Sequence, residues 1–360
     1  MELGFLIARL LGSPRSRRWK AAALFAVLLP EIGGSLAEEA VSTGRMAVPP
    51  AAATIASPRI AYGGFLFTSG LLSSDHTLAC SSCHIAQFGL SGGTATAVGV
   101  NGTIGTRRAP PLFDLGRARD LMWDGRATSL FEQIHMPLED VREMNINWHS
   151  SLALLDSQPA TTRYLAATGE LSISRTSVIG ALAAYVESLV SRPSGFDRYY
   201  YQNDETAISD DAKDGFRIFL RKARCGSCHL VTGTSAPLTD YNFHAIGIGY
   251  GAGEYKDLGR YAITKDPADL GAFKTPSLRN VALRPYLMHD GSFSSLRAVI
   301  DYYNRGGNLG AANMDGRIHP LFLNETEVRQ LLSFLETLTS EIVSVPQADT
   351  VEPQRHDKIQ

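Results

Sequence analysis

The feature that most constrains this chain is a pentapeptide pattern that occurs twice. Cys80-Ser81-Ser82-Cys83-His84 is answered by Cys225-Gly226-Ser227-Cys228-His229. Each is a C-x-x-C-H box, in which two thiols bond to the edge of a porphyrin and the adjacent imidazole reaches its iron. The boxes use all four cysteines of the chain. A C-x-x-C redox motif, or a zinc site with four cysteine ligands, would draw on the same thiols. Neither needs a histidine after the second cysteine, and both boxes have one. The pattern predicts two covalently bound haem c groups, attached through Cys80, Cys83, Cys225 and Cys228. His84 and His229 are the predicted proximal iron ligands.

A length of 360 residues gives a prior of about two domains. The formal charge of −2 gives no reason to expect nucleic acid as a partner. At the N-terminus, Arg15, Arg17, Arg18 and Lys20 precede a short apolar run, Ala21 to Leu29. Ser35-Leu36-Ala37 then offers a small-x-small cleavage site. This reads as a signal peptide over 1–37 and places the protein in the periplasm. The apolar run is well short of the roughly 20 residues of a spanning helix, and Pro30 and Glu31 interrupt it, so no stable membrane span is expected. Residues 38–58, rich in Ala, Pro and small polar side chains, read as a flexible leader. Residues 344–360 read as a disordered tail.

Between these ends the chain repeats itself. Pro110-Pro111-Leu112 recurs as Pro276-Ser277-Leu278, Leu121-Met122-Trp123-Asp124-Gly125 as Leu287-Met288-His289-Asp290-Gly291, and Ser129-Leu130 as Ser295-Leu296. All share an offset of 166 residues. Ahead of each haem box, Gly63-x-x-x-Phe67 is echoed by Gly215-x-x-x-Phe219. An internal duplication predicts two similar units, 59–205 and 206–343, with one haem each. Periodicity is mostly helical. Val178, Ile179, Leu182, Val186, Leu189 and Val190 form one apolar stripe. Ser209 caps a second helix with Phe216, Phe219 and Leu220 inward, and Asn324 with Glu327 opens a third. The fold class is therefore mainly α, with two cytochrome-c-like haem domains. Gly247, Gly249, Gly251 and Gly253 lack the βαβ context of a dinucleotide site and read as a flexible loop.

The repeat also carries chemistry. The offset of 166 takes Pro137 onto Tyr303. Proline cannot ligate iron and a phenolate can, so one geometry leaves the first iron open and fills the second. The alternative is that Tyr302 and Tyr303 are packing aromatics. An open iron that binds peroxide needs an acid/base group nearby. The loop after Leu130 offers Gln133, His135, Glu139, Asp140 and Glu143, for which a surface acidic cluster is the alternative reading.

These residues resemble the bacterial dihaem cytochrome c peroxidases and the related MauG enzymes over about 60–343. The resemblance rests on both boxes, on Met122-Trp123-Asp124-Gly125-Arg126, Glu143-Met144, the run Asp257 to Thr264, the run Phe273 to Asn280, and His289-Asp290-Gly291-Ser292. It implies that the N-terminal haem binds hydrogen peroxide and that the C-terminal haem relays electrons. It also implies that Trp123 lies between them, that Gln133, Pro137 and Glu143 line the peroxide pocket with Glu143 as acid/base, and that His289 sits beside the second haem. The donor-dependent peroxidases carry a capping His where this chain has Val100, and a Met ligand where it has Tyr303. Both positions resemble the MauG-like subgroup. A hard phenolate favours oxidised iron, whereas a thioether favours the ferrous state. The implied activity is oxidation of a partner protein side chain or donor by peroxide. Two alternatives are a peroxidase fed by a small cytochrome or copper protein, and a dihaem electron carrier without catalysis. The family's interdomain calcium often uses an Asn where this chain has Arg108.

Overall fold

The structure, a computed structural model, describes residues 57–112, 114, 115 and 118–340. The expected signal peptide, most of the leader and the tail lie outside the described residues. Ser57 and Pro58, read from sequence as the end of the leader, instead start the first helix. The Ser57 hydroxyl accepts from Ile60 N, and a proline at the first helical position has its φ already set.

The first half contributes α1 (Pro58–Thr68), α2 (Cys80–Cys83), α3 (Leu130–Glu139), α4 (Trp148–Asp156), α5 (Pro159–Thr168) and α6 (Arg175–Ser188). The second contributes α7 (Gly195–Gln202), α8 (Asp210–Leu220), α9 (Tyr261–Thr264), α10 (Leu296–Asn304) and α11 (Glu325–Glu336). Between α8 and α10 lie four short strands, β1 (Phe243–Ala245), β2 (Tyr250–Gly251), β3 (Glu254–Tyr255) and β4 (Ala272–Lys274). β1 pairs antiparallel with β4, and β2 with β3. The glycine-rich run expected as a loop thus contains a ribbon, turned where Ala252 and Gly253 take positive φ. Among the described residues no helix is long and apolar enough to cross a membrane.

Two separate cores organise the chain. One gathers Tyr62, Leu66, Phe67, Leu182, Tyr185 and Val186, and the other gathers Phe196, Phe216, Phe219, Leu331, Phe334 and Leu335. Each is built on one helix crossing, α1 on α6 and α8 on α11. The repeated Gly-x-x-x-Phe explains both. A Cβ on Gly63 would collide with Ala181 O and the Tyr185 side chain, and one on Gly215 with Gln330 O and the Phe334 side chain. The phenylalanine four residues on is buried in each core. Phe196 and Tyr201 of α7 pack in the second core, although they precede residue 206. Tyr199 and Tyr200 lie against the same core.

The helix starts follow their caps. Ser209 accepts from Ala212 N, and Asn324 with Glu327 forms a capping box. Leu220 and Val190, expected inward, are 44% and 43% exposed. Leu220 is the last residue of α8, and Val190 falls beyond the end of α6, so the helical stripe no longer directs either inward. The duplication extends to the backbone. Met122 and Met288 have φ of 71° and 69°, and Gly125 and Gly291 have 73° and 69°. Leu121 bridges Ala127 as Leu287 bridges Phe293. Ser129 caps α3 as Ser295 caps α10, so the stretch expected as a loop after Leu130 is a helix, as is its counterpart after Leu296.

Candidate active site

In each box a backbone turn presents the histidine. His84 N donates to Cys80 O at 2.9 Å, and His229 N donates to Cys225 O at 2.9 Å. The ring Nδ1–H of His84 donates to Leu90 O at 3.2 Å, and that of His229 to Leu238 O at 2.8 Å. This fixes the tautomer and leaves Nε2 of each ring for a metal. Burial lowers the His84 pKa to about 4 and lowers that of His229, so both rings are neutral, as iron ligation requires. Burial pushes the Cys80 and Cys225 thiols up to about 12, and no cysteine is in a disulfide. Cys80 packs on the first core and Cys225 on the second. Thiols divided in this way do not assemble a four-cysteine zinc site.

Each histidine borders a cavity. Cys80, His84, Gln133, Pro137 and Met144 share one of about 40 Å³. Cys225, Cys228, His229, Trp123, His289 and Tyr303 share one of about 200 Å³. Free thiols, an oriented imidazole and an adjoining apolar cavity fit a covalently held haem, and each half brings the three together.

The side chains proposed for chemistry separate clearly. His135 pairs with Glu139 at 3.1 Å, Glu139 also accepts from Trp148 Nε1 at 2.7 Å, and Asp140 is held by Arg142. These three are engaged near the surface. Gln133 borders the first cavity, and its Nε2 lies 4.0 Å from Met122 Sδ. Glu143 does not line that cavity in the structure, but its charge acts on the Cys83 thiol. Burial, reinforced by Asp140, raises the Glu143 pKa above the usual carboxylate range. Val100 is buried and its N donates to Glu143 O at 2.8 Å. Tyr303 is partly buried, packed on the second core near the second box, and desolvation raises its phenol pKa. Its phenolate therefore needs a cation beside it, such as a bound iron.

Trp123 is at the seam between the halves. Its Nε1–H donates to Arg108 O at 2.8 Å, and its carbonyl accepts from Lys274 N at 2.8 Å. His289 meets it edge-on, with ring centroids 6.4 Å apart. His289 in turn stacks on Phe273 at 3.6 Å. Sequence reasoning missed the clamp around this stack. Arg107 bonds Asp124 at 2.6 Å and Asp257 at 2.6 and 2.8 Å, and lies 5.4 Å from the Phe273 ring. It also missed His244, held between Asp240 at 2.9 Å and Asp315 at 2.8 Å. Both sets join residues 71 to 150 positions apart or sit in irregular segments, where periodicity gives no signal.

The di-haem cytochrome c peroxidase family model matches residues 57–206, and the cytochrome c model matches residues 212–339. The methylamine utilization protein MauG of Methylorubrum extorquens is 36% identical over 304 residues, covering 83% of each chain. The chain belongs to the di-haem cytochrome c peroxidase and MauG family. The cytochrome c peroxidase Ccp of Escherichia coli is 30% identical over 268 residues, 71% of this chain and 56% of that protein. A crystal structure of a MauG-like protein associated with microbial copper homeostasis superposes with a TM-score of 0.72 at 29% identity, covering 79% of this chain and 90% of that one. Family membership makes this protein a haem-dependent oxidoreductase of the peroxidase type, with two haem c groups. The reading as a carrier without catalysis is set aside.

Proposed function

We propose that the protein is a periplasmic, MauG-like, peroxide-dependent oxidase that withdraws electrons from a partner protein side chain or donor. Residues 59–205 serve the peroxide side and residues 206–343 the electron side. The observation that carries this reading is the asymmetry of the two cavities. His84 shares its cavity with Gln133 and Pro137, whereas His229 shares its cavity with Tyr303. When bound, the haem irons supply the centre that takes up peroxide and holds its oxidising equivalents.

The chain's own residues prepare that centre. His84 and His229 each offer Nε2, with Nδ1 tied to a carbonyl. Val100, buried and without a donor side chain, would not compete with hydrogen peroxide for an iron held by His84. With haem bound, Glu143, which lies beside the first box rather than on the cavity wall, would carry a proton between the two peroxide oxygens, a role suited by its raised pKa. Gln133 orients the peroxide with its amide. The Tyr303 phenolate stabilises the oxidised second site, and Trp123, locked by Arg108 O, provides the aromatic path between the sites. Export is supported by the basic and apolar N-terminal segments and by the covalent haem boxes.

Trp123→Phe in the oxidised holoprotein tests the path. Peroxide is expected to change the spectrum of the first haem while leaving the second haem's signal in place. Simultaneous loss of both signals, the response expected of the parent protein, would remove Trp123 from the reading. A second reading, turnover fed by a small cytochrome or copper protein, draws on the cytochrome c peroxidases among the relatives. Sustained turnover with reduced donor would favour it, and a stoichiometric mass change on a partner would favour the first.

A further inference from the structure

Partly buried guanidinium groups at the centre of this protein are paired with carboxylates. Arg107 is held by Asp124 and Asp257, and Arg279 is held by Asp197 at 2.7 and 2.9 Å. Two buried arginines break the pattern. Arg108 and Arg284 are 2% and 6% exposed. Arg108 donates only to carbonyls, from Nε to Met288 O at 3.2 Å and from Nη1 to Ala109 O at 3.4 Å. Arg284 donates from Nη1 to Ser277 O at 3.0 Å and from Nη2 to Arg279 O, while its Nε is buried without a partner. Neither forms an ion pair with a carboxylate among the described residues. Both line the cavity shared by His229, Cys225 and Tyr303.

A buried charge without a counter-ion is costly, and buried charges are as a rule paired. Burial lowers the two guanidinium pKa values to about 10 and about 9, and for Arg284 the nearby Arg108 charge adds to the effect. Both still carry their charge at neutral pH. Two like charges facing one cavity, one with an unused donor, call for an anionic occupant with carboxylate geometry. A covalently held haem brings two carboxylates of its own. We propose that Arg108 and Arg284 bind the propionate carboxylates of the haem attached at Cys225 and Cys228, and so fix its orientation and the charge around its iron. Arg108 comes from the first half and Arg284 from the second, so the cofactor is itself part of the bond between the halves. The inference needs only the family's two haems and holds whichever way peroxide is used.

The test is a redox titration of the matured holoprotein, resolving the two haems, for Arg284→Gln, Arg284→Lys and Arg108→Gln. Removing the positive charge leaves a propionate uncompensated and favours the oxidised iron. Arg284→Gln is expected to move the one-electron equilibrium of the haem at Cys225 and Cys228 about tenfold towards the ferric form, about 59 mV. Arg108→Gln should move it with the same sign, and Arg284→Lys should stay near the parent value. The haem at Cys80 and Cys83 should move less with Arg284→Gln. An unmoved midpoint in folded Arg284→Gln, or an equal shift in Arg284→Lys, would overturn the proposal. If Arg284→Gln does not mature, Arg108→Gln and Arg284→Lys decide by the same criteria. A midpoint in the parent protein that follows added acetate would assign the pair to a free anion and overturn it as well.

Discussion

In the proposed function, single residues decide which iron does what. Tyr303 and Pro137 sit at equivalent places in a duplicated frame, and that equivalence was legible in the sequence because no gap separates the copies. Replacing Tyr303 by Met exchanges a hard anionic donor for a soft neutral one. Tyr303→Met is expected to raise the midpoint potential of the second haem in a redox titration, and an unchanged midpoint would mean that residue 303 is no ligand. Glu143→Gln is expected to slow the reaction with peroxide by about 10²- to 10⁴-fold while the haem spectra remain. The parent rate should rise with pH through a carboxyl pKa above the ordinary range, since burial keeps Glu143 protonated longer. Spacing alone offered five polar candidates after Leu130 without ranking them, and only the family resemblance singled out Glu143. In the structure Glu139 and Asp140 have cationic partners of their own, Arg175 and Arg142, whereas Glu143 is partly buried near the first box.

At the scale of elements, the two crossings that make the cores were written as Gly-x-x-x-Phe. Gly63→Ala or Gly215→Ala would push a methyl group into the opposing helix backbone. Each is expected to destabilise by at least about 1–3 kcal/mol, measured by denaturant unfolding, with a lower yield of matured haem protein. The clamps on irregular segments were not legible. Asp197 caps α7 through Ser194 and binds Arg279 far along the chain, a pairing no local pattern predicts. The Arg279 guanidinium and the Ser194 bonds hold the Asp197 carboxyl below its usual pKa despite burial. A depressed carboxylate stabilises the fold fully above its unfolded value of about 3.9, and that contribution fades as pH falls through the lower folded value. Asp197→Asn should cost about 3–5 kcal/mol at neutral pH and flatten the acid limb of the stability curve. An acid limb like that of the parent would assign it to other carboxylates.

At the scale of the whole molecule, duplication gives two haem units of one design, and the seam between them gives the asymmetry its use. Trp123, His289, Phe273 and Arg107 form a stacked and ion-paired column across that seam. Trp123, His289 and Phe273 were readable in motifs, while the Arg107 clamp depends on contacts between the halves that only folding reveals. Arg108 fills this seam with a fixed cation bonded to Met288 O, so chelators are expected to leave the haem spectra and the peroxide reaction unchanged. Loss of either after chelation would restore calcium to the account. In the proposed function one haem stands open to peroxide while the other is closed by Tyr303. Electron paramagnetic resonance of the fully oxidised protein, before and after peroxide without reductant, tests it most directly. The account predicts one high-spin and one low-spin ferric signal, both lost at once on adding peroxide. Two low-spin signals that peroxide leaves intact would contradict it.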